Sequence, residues 1–420
     1  MELIRRTPRP RLVVVSAREG VTDLLRSTLE TTHDRALQGR VLSQLERLHP
    51  EPRPAVRRIL GRLAREFRGF SRATSTPPRT DAILAVGERL AAHWMADRLN
   101  REGVPAGAVE ADSAGLLTDG RFGEATIRLE ASRARVRGIL GPLLGSGQTP
   151  VVTGFLGRGP GGCVTTLGRG GSDYTATSLG YLLDARRVIL VKENVSLLSA
   201  DPRLVPGAIP LPRLSYEEAE ELAQFGARVL HPLTVEPARR KGIELCVQSL
   251  HRRESSTLIG PGVRGGLVRA LTLLSPVALL VLRVPGGRQR RGVIARVGNL
   301  LRDRGINVVT MFTSSALLLV FVEGGLAARA RASLEPLARE DGASLEGPRR
   351  ISLVTAIGER ILRDLPEIPT SLVTQALGMS ATPRTISLAV PEEGGVGALR
   401  LLHRLLVERS RKGTPRRRVP

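Results

Sequence analysis

Through the first 250 residues, short continuous apolar runs alternate with longer stretches whose apolar residues recur every three or four positions. Leu12–Val15 is a mostly β-branched run followed by a Ser16–Gly20 turn, the pattern of a strand buried on both faces. Helical spacing starts at Val21 and returns over residues 34–72, an Arg- and Leu-rich stretch broken by STPPRT at 75–80. Ile83, Leu84, Val86, Leu90, Trp94, Met95 and Leu99 predict a further helix, capped by Thr80 or Asp81 and ended by Gly103. Pro150–Phe155 predicts a buried strand, and residues 186–194 another. Between them a glycine-rich loop leads into a helix from Ser172 onward. SYEEAEELAQFGARVLHP then reads as a helix and IELCVQS as a strand. Strands alternating with helices predict an α/β fold with a parallel-rich sheet sandwiched by helices.

The texture changes at a glycine-rich boundary near residues 259–275. Two similar segments follow. Each reads strand, helix, strand, strand and closing helix, the second with a shortened middle: an imperfect repeat of a small α/β module. The expected boundaries are 1–262 for the first domain, 263–347 and 348–408 for the two modules, and 409–420 for a basic, disordered tail.

The net charge of +23 raises the question of a polyanion partner. Of 63 basic residues only Lys192, Lys241 and Lys412 are lysine, and the arginines are spread along the chain. A nucleic-acid footprint is usually clustered, and 3% aromatics leave few stacking platforms, so no nucleic-acid partner is expected. No apolar run approaches the roughly 20 residues of a membrane span. Cys163 and Cys246 form no metal or disulfide spacing and read as structural thiols in a reducing, cytoplasmic setting. The six histidines are isolated in sequence, and no metal cluster is expected.

The stretch richest in chemistry is TTLGRGGSDY, residues 165–174. Its three glycines let the backbone approach a ligand and turn N–H groups inward. Ser172 and Asp173 open a helix, whose amino terminus favours an anion. Arg169 adds a planar fork suited to a carboxylate or a phosphate. Downstream, LLSADPRLVP at 197–206 fixes a turn with its proline and carries Arg203.

Taken in order, GxxTTLGRGGSD, ADPRLVP and SYEEAEELAxFGARVLHP resemble aspartate kinases of the amino acid kinase superfamily. VVVSAxxGVTDLL and GERLAA match that family too, and the repeated modules resemble its ferredoxin-like ACT domains. The resemblance implies a catalytic domain followed by two ACT regulatory modules. It implies transfer of a phosphoryl group from ATP, with Mg²⁺, to the side chain of L-aspartate, giving 4-phospho-L-aspartate. It further implies feedback by lysine or threonine and a homodimer through the ACT modules. In the resemblance, Arg169 and Ser172 hold the aspartate carboxylate, with Thr166, Gly170 and Gly171 lining the same loop. Asp173 organises the transfer site, Glu88 faces the substrate ammonium, and Ser16 and Thr22 supply hydroxyls near the substrate. Lys192, Glu193, Leu198, Arg203, Arg228 and Val229 match nucleotide positions. The effector is expected near Arg302–Ser315 in the first module, which keeps the family pattern better.

One departure is large. The family opens with a strand and a K-F-G-G-T-S loop ahead of VVVSA, whereas eleven residues precede Leu12 here and no lysine occurs before Lys192. Two expectations compete: the segment lies upstream of the present start, or the chain is an inactive, amino-acid-binding regulatory subunit.

Overall fold

The computed structural model describes residues 2–31, 34–49, 54–71, 74–193, 197–226, 230–250, 256–262, 268–284, 292–314, 316–359, 361 and 368–408. Arg228, Val229, Ser315 and the expected tail therefore lie outside the described residues. The chain forms two compact units. One comprises Met1–Lys192, Leu230–Gln248 and Leu258–Pro261; the other comprises Glu193–Val229, Ser249–Thr257 and Gly262–Pro420.

In the first unit, strands β1 (Val13–Val15), β2 (Ala106–Val109) and β3 (Thr149–Thr153) form a parallel sheet in the order β1-β3-β2. Every residue of β3 is buried, which accounts for its unbroken apolar and threonine run. A hairpin of β4 (Leu156–Arg158) and β5 (Val164–Thr166) follows, and β6 (Arg187–Lys192) neighbours β7 (Glu244–Ser249) in a separate sheet. Helices α1 (Val21–Glu30), α2 (Pro77–Leu84), α3 (Val86–Arg101) and α4 (Gly171–Leu182) carry the residues that matter below. Ala91, Ala92 and Leu99 of α3 pack on Val15 and Val151 of the sheet. Helices Arg35–Leu48 and Pro54–Arg68 bury Leu45, Leu63 and Phe67 in a core shared with Leu25, Ile83 and Leu90. The helical spacing expected over residues 34–72 is thus present, and its helices share a core with α1–α3.

Two local expectations are corrected. The helix does not start at a Thr80 or Asp81 cap: it begins at Pro77 and breaks at Ala85. A proline at the first helical positions is pre-organised for the helix and loses no needed N–H. Trp94 is not a core residue; it is partly exposed, with the Arg18 guanidinium 5.2 Å over its ring. Gly103, at φ 75°, follows the end of α3 as expected.

The second unit is dominated by a six-stranded antiparallel sheet. Its strands are β8 (Ala270–Arg283), β9 (Val308–Thr313), β10 (Leu317–Glu323), β11 (Ser344–Ile357), β12 (Gly378–Ala381) and β13 (Thr385–Pro391). Their order is β9-β10-β8-β11-β13-β12. The two 14-residue strands β8 and β11 each serve both modules. Val277–Arg283 pairs with residues 344–351, while Ala270–Leu274 pairs with residues 353–357. One core gathers Leu280, Val320 and Leu334 under helices α5 (Val293–Asp303) and α6 (Ala327–Glu340). Another gathers Leu271, Val354, Leu388 and Leu402 under α7 (Thr370–Gln375) and α8 (Gly395–His403). The first module is therefore nested inside the second, and the expected 347/348 junction falls within β11. Among the described residues no helix is long and apolar enough to cross a membrane. Cys163 is exposed and Cys246 buried, both as free thiols.

Candidate active site

The carboxyl ends of β1, β3 and β6 meet the amino end of α4 in the first unit, the position at which α/β sheets collect ligands. The Gly154 N–H donates to Val15 O at 2.8 Å, carrying the β1–β3 pairing one residue further. Gly154 then lies so close to α4 that a Cβ there would stand 2.6 Å from Ser172 Oγ and 2.8 Å from Ser172 Cα. Only glycine allows this approach, which sets Ser172 directly over the strand end. Phe155 follows at φ 68°, and its N–H donates to Thr175 Oγ1 at 3.2 Å. Thr175 in turn donates to Gly171 O at 2.8 Å, fastening the first turn of α4 to this corner.

Gly168 and Gly170, both at φ 70°, turn the loop into α4. No side chain caps that helix; the Gly171 N–H donates to Gly168 O at 3.1 Å, and the N–H groups of Ser172 and Asp173 are left to a ligand or water. Arg169 is exposed beside them, and no carboxylate among the described residues pairs with it. Asp173, in the first turn, accepts from Lys192 Nζ at 2.5 Å. Lys192 is the last residue of β6, so the strand end delivers a cation to the helix start.

Glu88 enters from the opposite side. Gly87 lets α3 touch the turn after β1: a Cβ at Gly87 would lie 2.7 Å from Ala17 Cβ. The Ala17 N–H donates to Glu88 Oε1 at 3.1 Å, while Oε2 is buried with no hydrogen-bond partner. Glu88 is 3% exposed, and this desolvation pushes its carboxyl up to about 7. An unpartnered buried carboxylate oxygen is a place for a cation. Ser16 is exposed next to this contact, and Thr22 is half-buried as the second residue of α1.

Asp81, read from sequence only as a helix cap, is 2% exposed inside α2. Its Oδ2 accepts from the Thr166 N–H at 2.7 Å and from the Gly123 N–H at 2.9 Å. Burial raises its carboxyl, and these two bonds oppose the rise. Asp81 thus holds the start of the glycine loop through Thr166, which is itself buried. The signal available in the sequence was an acid lodged among the apolar positions of α2; Gly154 offered none.

Of the expected nucleotide positions, Lys192 ends the first segment of the first unit, and Glu193, exposed, begins the second unit. Leu198 and Arg203 lie on a loop closed by Ser199 N–H to Ile209 O at 2.8 Å and Leu211 N–H to Leu197 O at 2.9 Å. Arg203 is exposed, and its guanidinium reaches Asp201 Oδ2 at 2.6 Å. In the first module, Gly292, Val293, Thr313 and Leu318 line a cavity of about 430 Å³ at the start of α5. It overlaps the expected effector stretch only at Thr313. No group of three His, Cys, Asp or Glu side chains able to hold a metal occurs among the described residues.

A profile of the amino acid kinase family matches residues 2–249. The chain is 31% identical over 352 residues to an aspartokinase of Thermus thermophilus, with 79% of this chain and 84% of that protein covered. It is 33% identical over 315 residues to the lysine-sensitive aspartokinase 3 of Escherichia coli, covering 72% and 70%. Among solved structures it is similar to E. coli aspartokinase III in complex with aspartate and ADP in the R-state. That likeness has a TM-score of 0.84 at 27% identity and covers 96% of this chain and 95% of the other. With the profile spanning more than half the sequence and the Thermus thermophilus relative 31% identical over most of both chains, the chain belongs to the amino acid kinase family and, within it, to the aspartokinases.

Proposed function

We propose that this chain is an aspartate kinase that transfers the γ-phosphoryl group of ATP to the side-chain carboxylate of L-aspartate. The acceptor carboxylate is ionised at neutral pH, its reference pKa being about 3.9, so no general base is required. The work is to hold two anions together and to spread the charge of the phosphoryl group in flight. Arg169, Ser172 and the uncapped start of α4 suit the aspartate carboxylate. Glu88 takes the substrate ammonium on its unpartnered Oε2. Asp173 holds Lys192 at the transfer site, where the ammonium group faces the phosphoryl oxygens. The observation that carries this reading is the buried, half-satisfied Glu88 carboxylate against the turn after β1, together with the exposed Arg169 in the loop before α4. It supplies one group of each sign for an amino acid.

Mg²⁺ enters with ATP as part of that substrate, an ion that keeps its waters and binds through phosphates. Lys192, Glu193, Leu198 and Arg203, with Arg228 and Val229 beyond the described residues, are the proposed nucleotide contacts. The product feeds lysine, threonine and methionine biosynthesis in the cytoplasm. The first module's cavity is of a size for lysine or threonine as effector. A homodimer through the modules is supported by the sheet edge at β12, where Met379 is half-exposed.

The test is an assay with ATP, Mg²⁺, L-aspartate and hydroxylamine. Aspartyl hydroxamate and an equal amount of ADP are expected. A chain that gains thermal stability with lysine or threonine yet forms no hydroxamate would overturn the kinase reading in favour of a regulatory subunit.

A further inference from the structure

The loop that carries Arg203 is built into the second module. Ala200 and Val205 lie in the same core as Leu399, Leu402, Leu406 and Val407. The Leu271 N–H at the start of β8 donates to Ser199 O at 2.7 Å, and Arg400 Nε on α8 donates to Leu204 O at 2.7 Å. At the centre, Ser199 and His403 are both fully buried, and Ser199 Oγ lies 2.8 Å from His403 Nε2. The same Oγ accepts from the Ile209 N–H at 2.8 Å, and His403 Nδ1 lies 3.1 Å from Glu408 Oε1. One assignment satisfies every donor. Nδ1–H donates to Glu408, and the Ser199 hydroxyl donates to Nε2 of a neutral imidazole.

We propose that His403 is a positioning residue for the nucleotide: through Ser199 it holds the Asp201–Arg203 turn in the place the second module dictates. The geometry is specific. Ser199 ties both ends of the loop, to Ile209 by side chain and backbone and to β8 by its carbonyl. His403 fixes the hydroxyl on which the side-chain tie depends. A shift of α8 along its axis cannot leave the loop unchanged, because His403, Arg400 and the apolar residues between them all grip it. This inference rests on the nucleotide role given to Arg203 under the proposed function.

The experiment compares the full chain with its His403→Ala, His403→Gln, His403→Asn and Ser199→Ala variants. ADP binding is read by calorimetry, KM for ATP and for aspartate by steady-state assay, and Tm alongside. Loss of one buried hydrogen bond predicts a roughly tenfold weaker ADP affinity and a similar rise in KM for ATP in His403→Ala and Ser199→Ala. KM for aspartate should stay within about twofold, as the tie touches only the nucleotide side. His403→Gln, whose amide oxygen falls near the place of Nε2, should recover most of the loss, and His403→Asn should not. Unchanged ADP affinity in His403→Ala or Ser199→Ala overturns the inference. So does a common loss for both substrates that follows Tm without distinguishing Gln from Asn. Failure of the unsubstituted chain to bind ADP overturns the nucleotide reading itself and this inference with it.

Discussion

Lys192 Nζ stands 2.5 Å from Asp173 Oδ2, tying the last residue of β6 to the first turn of α4. The pair is only partly buried, so its value lies in aim rather than in stability. Removing the acid frees the ammonium to swing away from the transferring group. Asp173→Asn should lower kcat on the order of a hundredfold and leave KM for aspartate nearly unchanged. Lys192→Met should do the same, and the double variant should lose little more than either alone.

Glu88→Gln should separate stability from binding. The Glu88 carboxyl, at about 7 in the folded chain, lies above its ordinary value of 4.5. The folded state therefore holds this proton more tightly, and stability falls as pH rises from about 4.5 to 7. Above pH 7 the ionised, buried group costs about 3 kcal/mol, at 1.36 kcal/mol per unit. The neutral amide avoids that cost. Glu88→Gln should have a higher Tm than the unsubstituted chain at pH 8 but not at pH 4.5. Its KM for aspartate should rise at least tenfold, since the ammonium loses its counter-charge.

A proton should leave when aspartate binds. Near pH 6.5 Glu88 is largely protonated in the empty site and must ionise to meet an ammonium group. Calorimetry in two buffers of different ionisation enthalpy should detect release approaching one proton at pH 6 to 6.5. The release should fade by pH 9 and be missing in Glu88→Gln.

Asp81→Ala should loosen the glycine loop. It strands the buried N–H of Thr166, at about 1–3 kcal/mol, and the part-buried N–H of Gly123, at less. Denaturant unfolding should show a loss of about 2–5 kcal/mol, with a raised KM for aspartate. Asp81→Asn should recover most of the stability, because its amide oxygen can accept both bonds.

Gly154→Ala should damage the site more than the fold. The new methyl group meets Ser172 at 2.6 Å and pushes on backbone as well as side chain. A fall in kcat/KM for aspartate well beyond the change in Tm is expected, on the order of a hundredfold for a displacement near 1 Å.

The parts legible in the sequence are those whose cause is local. The loop at 165–174 shows its glycines and the helix that follows, and the positive φ at Gly168 and Gly170 needs glycine there. β3 shows as an apolar run because its neighbours cover every residue, while β6 shows as one although only Val188 and Leu190 are buried. Asp81 was misread because its partners, Gly123 and Thr166, lie 42 and 85 residues away and leave no mark on the local pattern. The Ser199–His403 contact spans 204 residues and was invisible for the same reason. The modules showed as a repeat, since each carries its own strand–helix rhythm. Their sharing of β8 and β11 did not, because register between distant strands is set by packing and not by the composition of either run.

That sharing bears on inheritance. Two side-by-side domains can be traded singly between genes, but here a cut at residue 347 splits β11 and parts its residues 349–357 from their partners on β8. Recombination that keeps the second module's core intact has to carry the loop of Ala200 and Val205 along with the segment from β8 to α8. A splice ahead of residue 270 parts that loop from Leu271 and His403, so chimaeras made to alter feedback should take both segments from one parent.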